Sequence, residues 1–138
     1  MDSIKVSKYM DRQPVLLTED MPLSNAVDAL LERNKLGAPV VDDLGQLVGF
    51  LSQQDCLSVM LKSSYHCDLV AKVKDCMRSE VLSVTPDTSV LQLAEQMLGP
   101  KPKVYPVVDN GKVIGTINRT NVLNAINIHM QQCYLAPV

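Results

Sequence analysis

The 138-residue sequence contains no apolar run near the ~18 residues that a membrane span requires. Its opening, Met1-Asp2-Ser3-Ile4-Lys5, lacks the basic and then apolar layout of a secretory signal. An excess of charge of either sign is lacking as well. A formal net charge of −2 gives no electrostatic reason to expect nucleic acid or an anionic membrane surface. The four cysteines, Cys56, Cys67, Cys76 and Cys133, form no C-x-x-C pair, so spacing supports neither a zinc site nor a dithiol redox centre. Buried or idle thiols in a reducing cytoplasm are expected instead. With its ordinary apolar content, the chain has the length of one compact domain.

The sequence is organised around the stretch Gly49-Phe50-Leu51-Ser52-Gln53-Gln54-Asp55. A short apolar run, Leu47 to Leu51, delivers Ser52 to an amphipathic run in which Cys56, Leu57, Met60 and Leu61 fall on one helical face. Such a strand-to-helix corner gathers a hydroxyl, free backbone N–H groups and a carboxylate. The corner recurs as Gly115-Thr116-Ile117-Asn118-Arg119-Thr120-Asn121, with its frame kept and its chemistry changed.

This recurrence belongs to a tandem repeat. Val6–Leu57 aligns with Val73–Leu123 through one gap, at Leu44, inside a turn where loss is well tolerated. Twelve pairs are identical: Val6/Val73, Met10/Met77, Thr18/Thr85, Asp20/Asp87, Leu31/Leu98, Pro39/Pro106, Val40/Val107, Val41/Val108, Asp42/Asp109, Gly45/Gly111, Gly49/Gly115 and Leu57/Leu123. In each half a short helix (Val6 to Met10; Val73 to Met77) precedes a brief strand, Val15-Leu16-Leu17 or Leu82-Ser83-Val84. A helix follows, with its apolar face at Leu23, Val27, Leu30 and Leu31, or at Val90, Ala94, Met97 and Leu98. A hairpin comes next, its turn at Asp42-Asp43-Leu44-Gly45 or Asp109-Asn110-Gly111, and Pro39 and Pro106 are expected to open its first strand. Closing helices run from about Gln53 to Leu61 and from about Arg119 to Met130. One such unit alone buries little surface, so two are expected to pack together about a pseudo-two-fold axis. The expected division is residues 1–61, a docked connector 62–72, and residues 73–138.

The double unit, the Pro-Val-Val-Asp segments with their turn glycines, and the Gly-x-x-Ser-x-x-Asp corner resemble a tandem pair of cystathionine-β-synthase (CBS) domains, a Bateman module. The resemblance covers Val6 to about His129 and leaves no catalytic or transport domain over. It implies a mixed α+β (α/β) fold of two β-α-β-β-α CBS repeats packed sheet to sheet. It also implies a non-catalytic regulatory protein with no cofactor and no metal. Its ligand would be an adenosine compound (AMP, ADP, ATP or S-adenosylmethionine) held between the repeats. A homodimer and an unidentified protein partner are further implications, with neither nucleic acid nor membrane bound.

Carried onto this sequence, the resemblance gives Asp55 the ribose hydroxyls and Ser52 the phosphate, with Pro14, Val15, Ala38 and Pro39 walling the base. A carboxylate accepts both ribose hydroxyls at once, which a neutral amide matches poorly. A phosphate beside Ser52 would also meet helix N-terminal N–H groups. The competing reading is an N-cap, Ser52 with Asp55 as a capping box. Asn118 preserves capping in the second repeat, but Asn121 lacks the charge. A second, degenerate site would comprise Tyr105, Pro106, Asn118, Arg119 and Asn121. Tyr105 takes the place of Ala38 and either stacks on a base or fills the space. Lys101, Lys103 and Arg119 are candidate phosphate partners, with solvated surface cations as the alternative.

Other residues carry weaker signals. Tyr65-His66-Cys67-Asp68 pairs a cysteine with a histidine but offers no orienting group. His129 and Cys133 have a helical metal-ligand spacing without further ligands. The stripe Val122, Leu123, Ile126 and Met130 reads as core or dimer seam. The rival to a ligand sensor is a ligand-free CBS-fold docking or dimerisation module; a thiol enzyme or redox switch at Cys56 or Cys67 is a third reading.

Overall fold

The computed structural model describes residues 4–64 and 70–135. Along them run α1 (Val6–Tyr9), β1 (Leu17–Thr18), α2 (Leu23–Glu32), β2 (Gly37–Val41), β3 (Leu47–Ser52), α3 (Gln53–Ser64), α4 (Val73–Cys76), α5 (Val90–Met97), β4 (Val104–Asp109), β5 (Lys112–Asn118) and α6 (Arg119–Leu135). The fold is mixed α+β and repeats its element order. His66 and Cys67 lie outside the described residues.

Turn chemistry sets the hairpins. The Asp42 carboxylate accepts the N–H groups of Leu44 and Gln46, both at 2.9 Å, and Gly45 supplies the left-handed residue at φ 79°. In the shorter β4–β5 turn, Asn110 and Gly111 both take positive φ, 52° and 83°, as a tight two-residue hairpin turn requires. β1, β2 and β3 form one sheet, β1 parallel and β3 antiparallel to β2; β4 and β5 form a two-stranded sheet.

The first strand of each half is shorter than the apolar runs suggest. Val15 and Leu16 stay outside β1, which pairs only Leu17 with Val40 and Thr18 with Val41. In the second half it shrinks to a bridge between Val84 and Val107. The prolines explain part of this. Pro39 and Pro106 do not open their strands; each is the third residue of β2 or β4. The Pro106 carbonyl accepts from Val84 N–H at 3.0 Å, so the missing proline N–H faces the same side, where the neighbouring strand has not yet begun. On the opposite side Phe50, the partner of Pro39, turns its own N–H and C=O away to Arg78. The ladder thus accommodates both prolines.

The chain condenses into two units that do not follow the repeats. One comprises described residues 13–64, 70–81 and 110–113, the other 4–12, 82–109 and 114–135. Each repeat's short helix therefore joins the other repeat's strands. In the first unit Leu17, Leu23, Ala26, Leu30, Ala38, Val40, Leu51, Cys56 and Val73 form the core. The N–H of Val73 reaches Met21 O at 2.9 Å and Ala71 O accepts from Leu23 at 2.9 Å, which docks the described end of the connector. Leu47 N–H to Gly111 O (3.1 Å) and Val113 N–H to Gly45 O (3.0 Å) tie residues 110–113 to this unit. In the second unit Ile4, Val6, Met10, Val84, Val90, Leu93, Tyr105, Val107, Ile117, Val122 and Ala125 form the core.

Helix faces differ from the expected stripes. α2 buries Leu23, Ala26 and Leu30, while Leu31 is 64% exposed and its counterpart Leu98 is 89% exposed. α3 buries Cys56 but leaves Leu57, Met60 and Leu61 exposed, and α6 buries Val122 while Leu123 and Met130 are exposed. The small Ala26 reads as neutral in an apolar count, yet it is fully buried in the core; in the second repeat Leu93 takes that place.

Candidate functional site

Gly49 explains why the corner begins with glycine. A Cβ there would meet Met77 Sδ at 2.5 Å and Arg78 O at 2.9 Å. The segment after α4 thus lies directly on β3, held by Phe50 N–H to Arg78 O and Arg78 N–H to Phe50 O, each 2.9 Å. Gly115 permits an equivalent crossing in the other unit. A Cβ there would meet Asp11 O at 2.5 Å, and Asp11 and Thr116 exchange backbone bonds of 2.7 and 3.0 Å.

At the end of β3 the chain turns into α3 through a closed capping box. Ser52 Oγ accepts Asp55 N–H at 3.0 Å, while Asp55 Oδ2 accepts the Ser52 N–H at 3.2 Å and the Ser52 hydroxyl at 2.8 Å. Gln53 anchors the corner through its N–H to Leu36 O (2.8 Å) and its side-chain amide to Lys35 O (2.7 Å). The second carboxylate oxygen, Asp55 Oδ1, faces Arg78 Nη2 at 3.5 Å; the Asp55 side chain is 16% exposed and that of Arg78 is 68% exposed. One long contact to a solvated guanidinium is a weak tie, about 0–1 kcal/mol for exposed pairs. So Ser52 and Asp55 do cap the helix, and half of the carboxylate remains available for exchange.

Sequence reasoning does not single out Arg78. Its apposition depends on pairing with Phe50, and only the repeat alignment, which sets Arg78 against Asp11, hints at a charge difference there.

The other first-repeat candidates share this unit. Gly37 pairs with Ser52, and the parallel register Leu17–Val40 carries Pro14 and Val15 to the end of the sheet where Gly37 and Ala38 lie. Ala38 and Pro39 are buried, whereas Pro14 and Val15 are half-buried.

The second corner keeps the geometry without the charge. Asn118 N–H donates to Asn121 Oδ1 at 2.9 Å and Asn121 N–H to Asn118 Oδ1 at 2.8 Å; Arg119 N–H reaches Lys103 O at 3.0 Å, as Gln53 does Leu36. Tyr105 is 1% exposed and fills the core space that Ala38 leaves in the first repeat. Burial pushes its phenol up, and its hydroxyl finds no hydrogen-bond partner among the described residues. Pro106 is buried beside it in β4. Lys101, Lys103 and Arg119 are exposed and belong to the unit that does not contain Asp55.

The thiols of Cys56 and Cys76 offer little nucleophilicity. Burial, then Cys76 and Asp55, push the Cys56 thiol from its ordinary 9.0 to about 11, and burial also raises Cys76. Cys133 Sγ lies 3.8 Å from His129 Nε2, and among the described residues no three His, Cys, Asp or Glu side chains gather as a metal site. No helix of the described residues is long and apolar enough to cross a membrane.

Two mixed α+β repeats, each ending its hairpin in a Gly-anchored corner that caps a helix, define a tandem-repeat module. The CBS domain model matches residues 6–62 and 73–128, and the chain belongs to the CBS domain family. Among solved structures it is similar to the AcuB protein of Vibrio cholerae, at 29% identity and a TM-score of 0.83 over 97% of this chain and 98% of that one. It is also similar to CBSX2 in complex with AMP, at 28% identity and a TM-score of 0.80 over 93% and 99% of the two chains. Among curated relatives, the A-adding tRNA nucleotidyltransferase of Aquifex aeolicus is 28% identical over 94% of this chain. The chain spans only 15% of that enzyme's length.

Proposed function

We propose that this CBS pair is a non-catalytic regulatory module that binds an adenosine-containing ligand, from AMP, ADP, ATP and S-adenosylmethionine, at the first corner. Asp55 takes the ribose hydroxyls, Ser52 the phosphate end, and Pro14, Val15, Ala38 and Pro39 wall the base. The carrying observation is the Asp55 carboxylate, fixed through one oxygen by Ser52 and tied through the other, among the described residues, to an exposed guanidinium. Likeness over nearly the full chain to CBSX2, solved with AMP, supports the ligand class. The module works as a cytoplasmic homodimer that passes ligand state to a protein partner, by binding ligand differently in two conformations. Exposed Leu57 and Leu61 on α3 and Leu123 on α6 support a helix-mediated dimer.

A second reading, a ligand-free docking module, draws on the amide-only corner at Asn118 and Asn121. Calorimetric titration of nucleotide-stripped protein with the four ligands, beside Asp55→Ala, separates the two. Saturable binding near one per chain that vanishes in the variant is expected. No heat and no thermal stabilisation by any ligand would leave only the docking reading.

A further inference from the structure

We propose that Arg78 reads the charge of the ligand at the first corner and makes it select a phosphate-bearing adenosine compound over a neutral or cationic one. The inference rests on the adenosine reading above and narrows it to anionic nucleotides.

Two features of Arg78 carry the argument. Its backbone cannot wander, being bonded to Phe50 in both directions and laid against Gly49. Its side chain, by contrast, is 68% exposed and touches Asp55 Oδ1 through one guanidinium nitrogen at 3.5 Å. The root is fixed and the head is free to exchange partners. Ribose hydroxyls arriving at Asp55 supply the same oxygen with new donors and release the guanidinium. A released arginine beside a bound nucleoside is then best satisfied by an anion, and its planar fork suits phosphate oxygens. A cationic sulfonium ligand would instead leave two positive charges beside a single carboxylate. An uncharged nucleoside would strip Arg78 of its partner without offering another.

The other corner acts as an internal control. Asp11 stands at the position equivalent to Arg78, with the same backbone pairing, to Thr116. A carboxylate there opposes a phosphate. The two repeats thus present the same backbone crossing with opposite charge.

The deciding experiment is titration of the nucleotide-stripped chain with AMP, adenosine and S-adenosylmethionine, in the wild type, Arg78→Gln, Arg78→Lys and Asp55→Ala. The wild type should favour AMP over adenosine by about 10-fold or more, the scale of a charge-assisted contact. Arg78→Gln should lose about 10-fold for AMP and nothing for adenosine, while Arg78→Lys keeps most of the preference. Raising salt should weaken AMP binding in the wild type more than in Arg78→Gln. Unchanged melting temperatures would establish that both Arg78 variants are folded, as the exposed head predicts. AMP binding lost in Asp55→Ala but with an unchanged AMP-to-adenosine ratio in Arg78→Gln would overturn the role of Arg78 alone. So would an equal loss for both ligands. A wild type that binds none of the three overturns the adenosine reading, and this one with it.

Discussion

At Asp55 one carboxylate caps a helix with one oxygen and turns the other to Arg78, so capping and the proposed binding are separable by substitution. The Asn118–Asn121 pair shows that an amide can close the same box. Asp55→Asn should therefore cost about 1 kcal/mol or less in stability, the scale of a cap exchange. AMP affinity should nonetheless fall about 10-fold or more, because the amide offers one acceptor in place of two. Paired melting curves and titrations check this; a stability loss as large as the binding loss would mean that the carboxylate serves the fold. Cys56 makes a second residue-scale prediction. Its folded thiol holds the proton up to about 11 against an ordinary 9.0, so its contribution is fully present below pH 9 and drains away as pH rises through 11. Cys56→Val, which installs the residue of the second repeat at Val122, should flatten the alkaline limb of a denaturation series, leaving the losses from Cys76 and Tyr105, both also raised by burial. The corner residues are legible in sequence because capping and carboxylate chemistry are local. Arg78 is not, because it meets Asp55 across 23 positions of chain, through a backbone pairing with the still more distant Phe50.

Among the elements, the crossings at Gly49 and Gly115 govern how closely a β-strand and a passing segment can approach. An added methyl meets backbone oxygen in both places, at 2.9 Å from Arg78 and 2.5 Å from Asp11. Overpacking of this kind costs typically about 1–3 kcal/mol. Gly115→Ala should be the more damaging of the two, since its first obstacle is backbone and that at Gly49 is a methionine side chain that can swing. Urea denaturation of both variants gives the order; equal midpoints would show that the crossing segments simply move aside. Element order and hairpin turns follow from sequence, as Asp42, Gly45, Asn110 and Gly111 all take the turn roles their chemistry favours. Helix faces follow less well. Leu31 and Leu57 match an apolar stripe but are exposed, while Ala26, too small to mark a stripe, is core. Hydrophobic period alone does not say which edge of a stripe meets the sheet.

For the whole molecule, the identities between halves reveal the repeat, but they do not reveal its partition in space. Val73 of the second repeat is fully buried among first-repeat residues, and Val6 of the first among those of the second. A fragment of residues 1–64 therefore lacks part of its own core. It should show no cooperative thermal transition, whereas residues 13–81 retain every core member of their unit and should show one. Circular dichroism melts of the two fragments decide it; a sharp transition in the first would mean that α4 is dispensable.

The exchange of short segments also sets an order of assembly as the chain leaves the ribosome. The unit holding Asp55 has its whole core once residue 73 has emerged. The other has Val6 and Ala125 in one core, so the segment holding Val6 must wait until residue 125 has emerged. Closing so long a loop is entropically modest but slow to arrive, and the waiting segment exposes Ile4, Val6 and Met10 meanwhile. Nascent protein would thus carry the folded core beneath the first corner while the segment holding Ile4, Val6 and Met10 still seeks its partners.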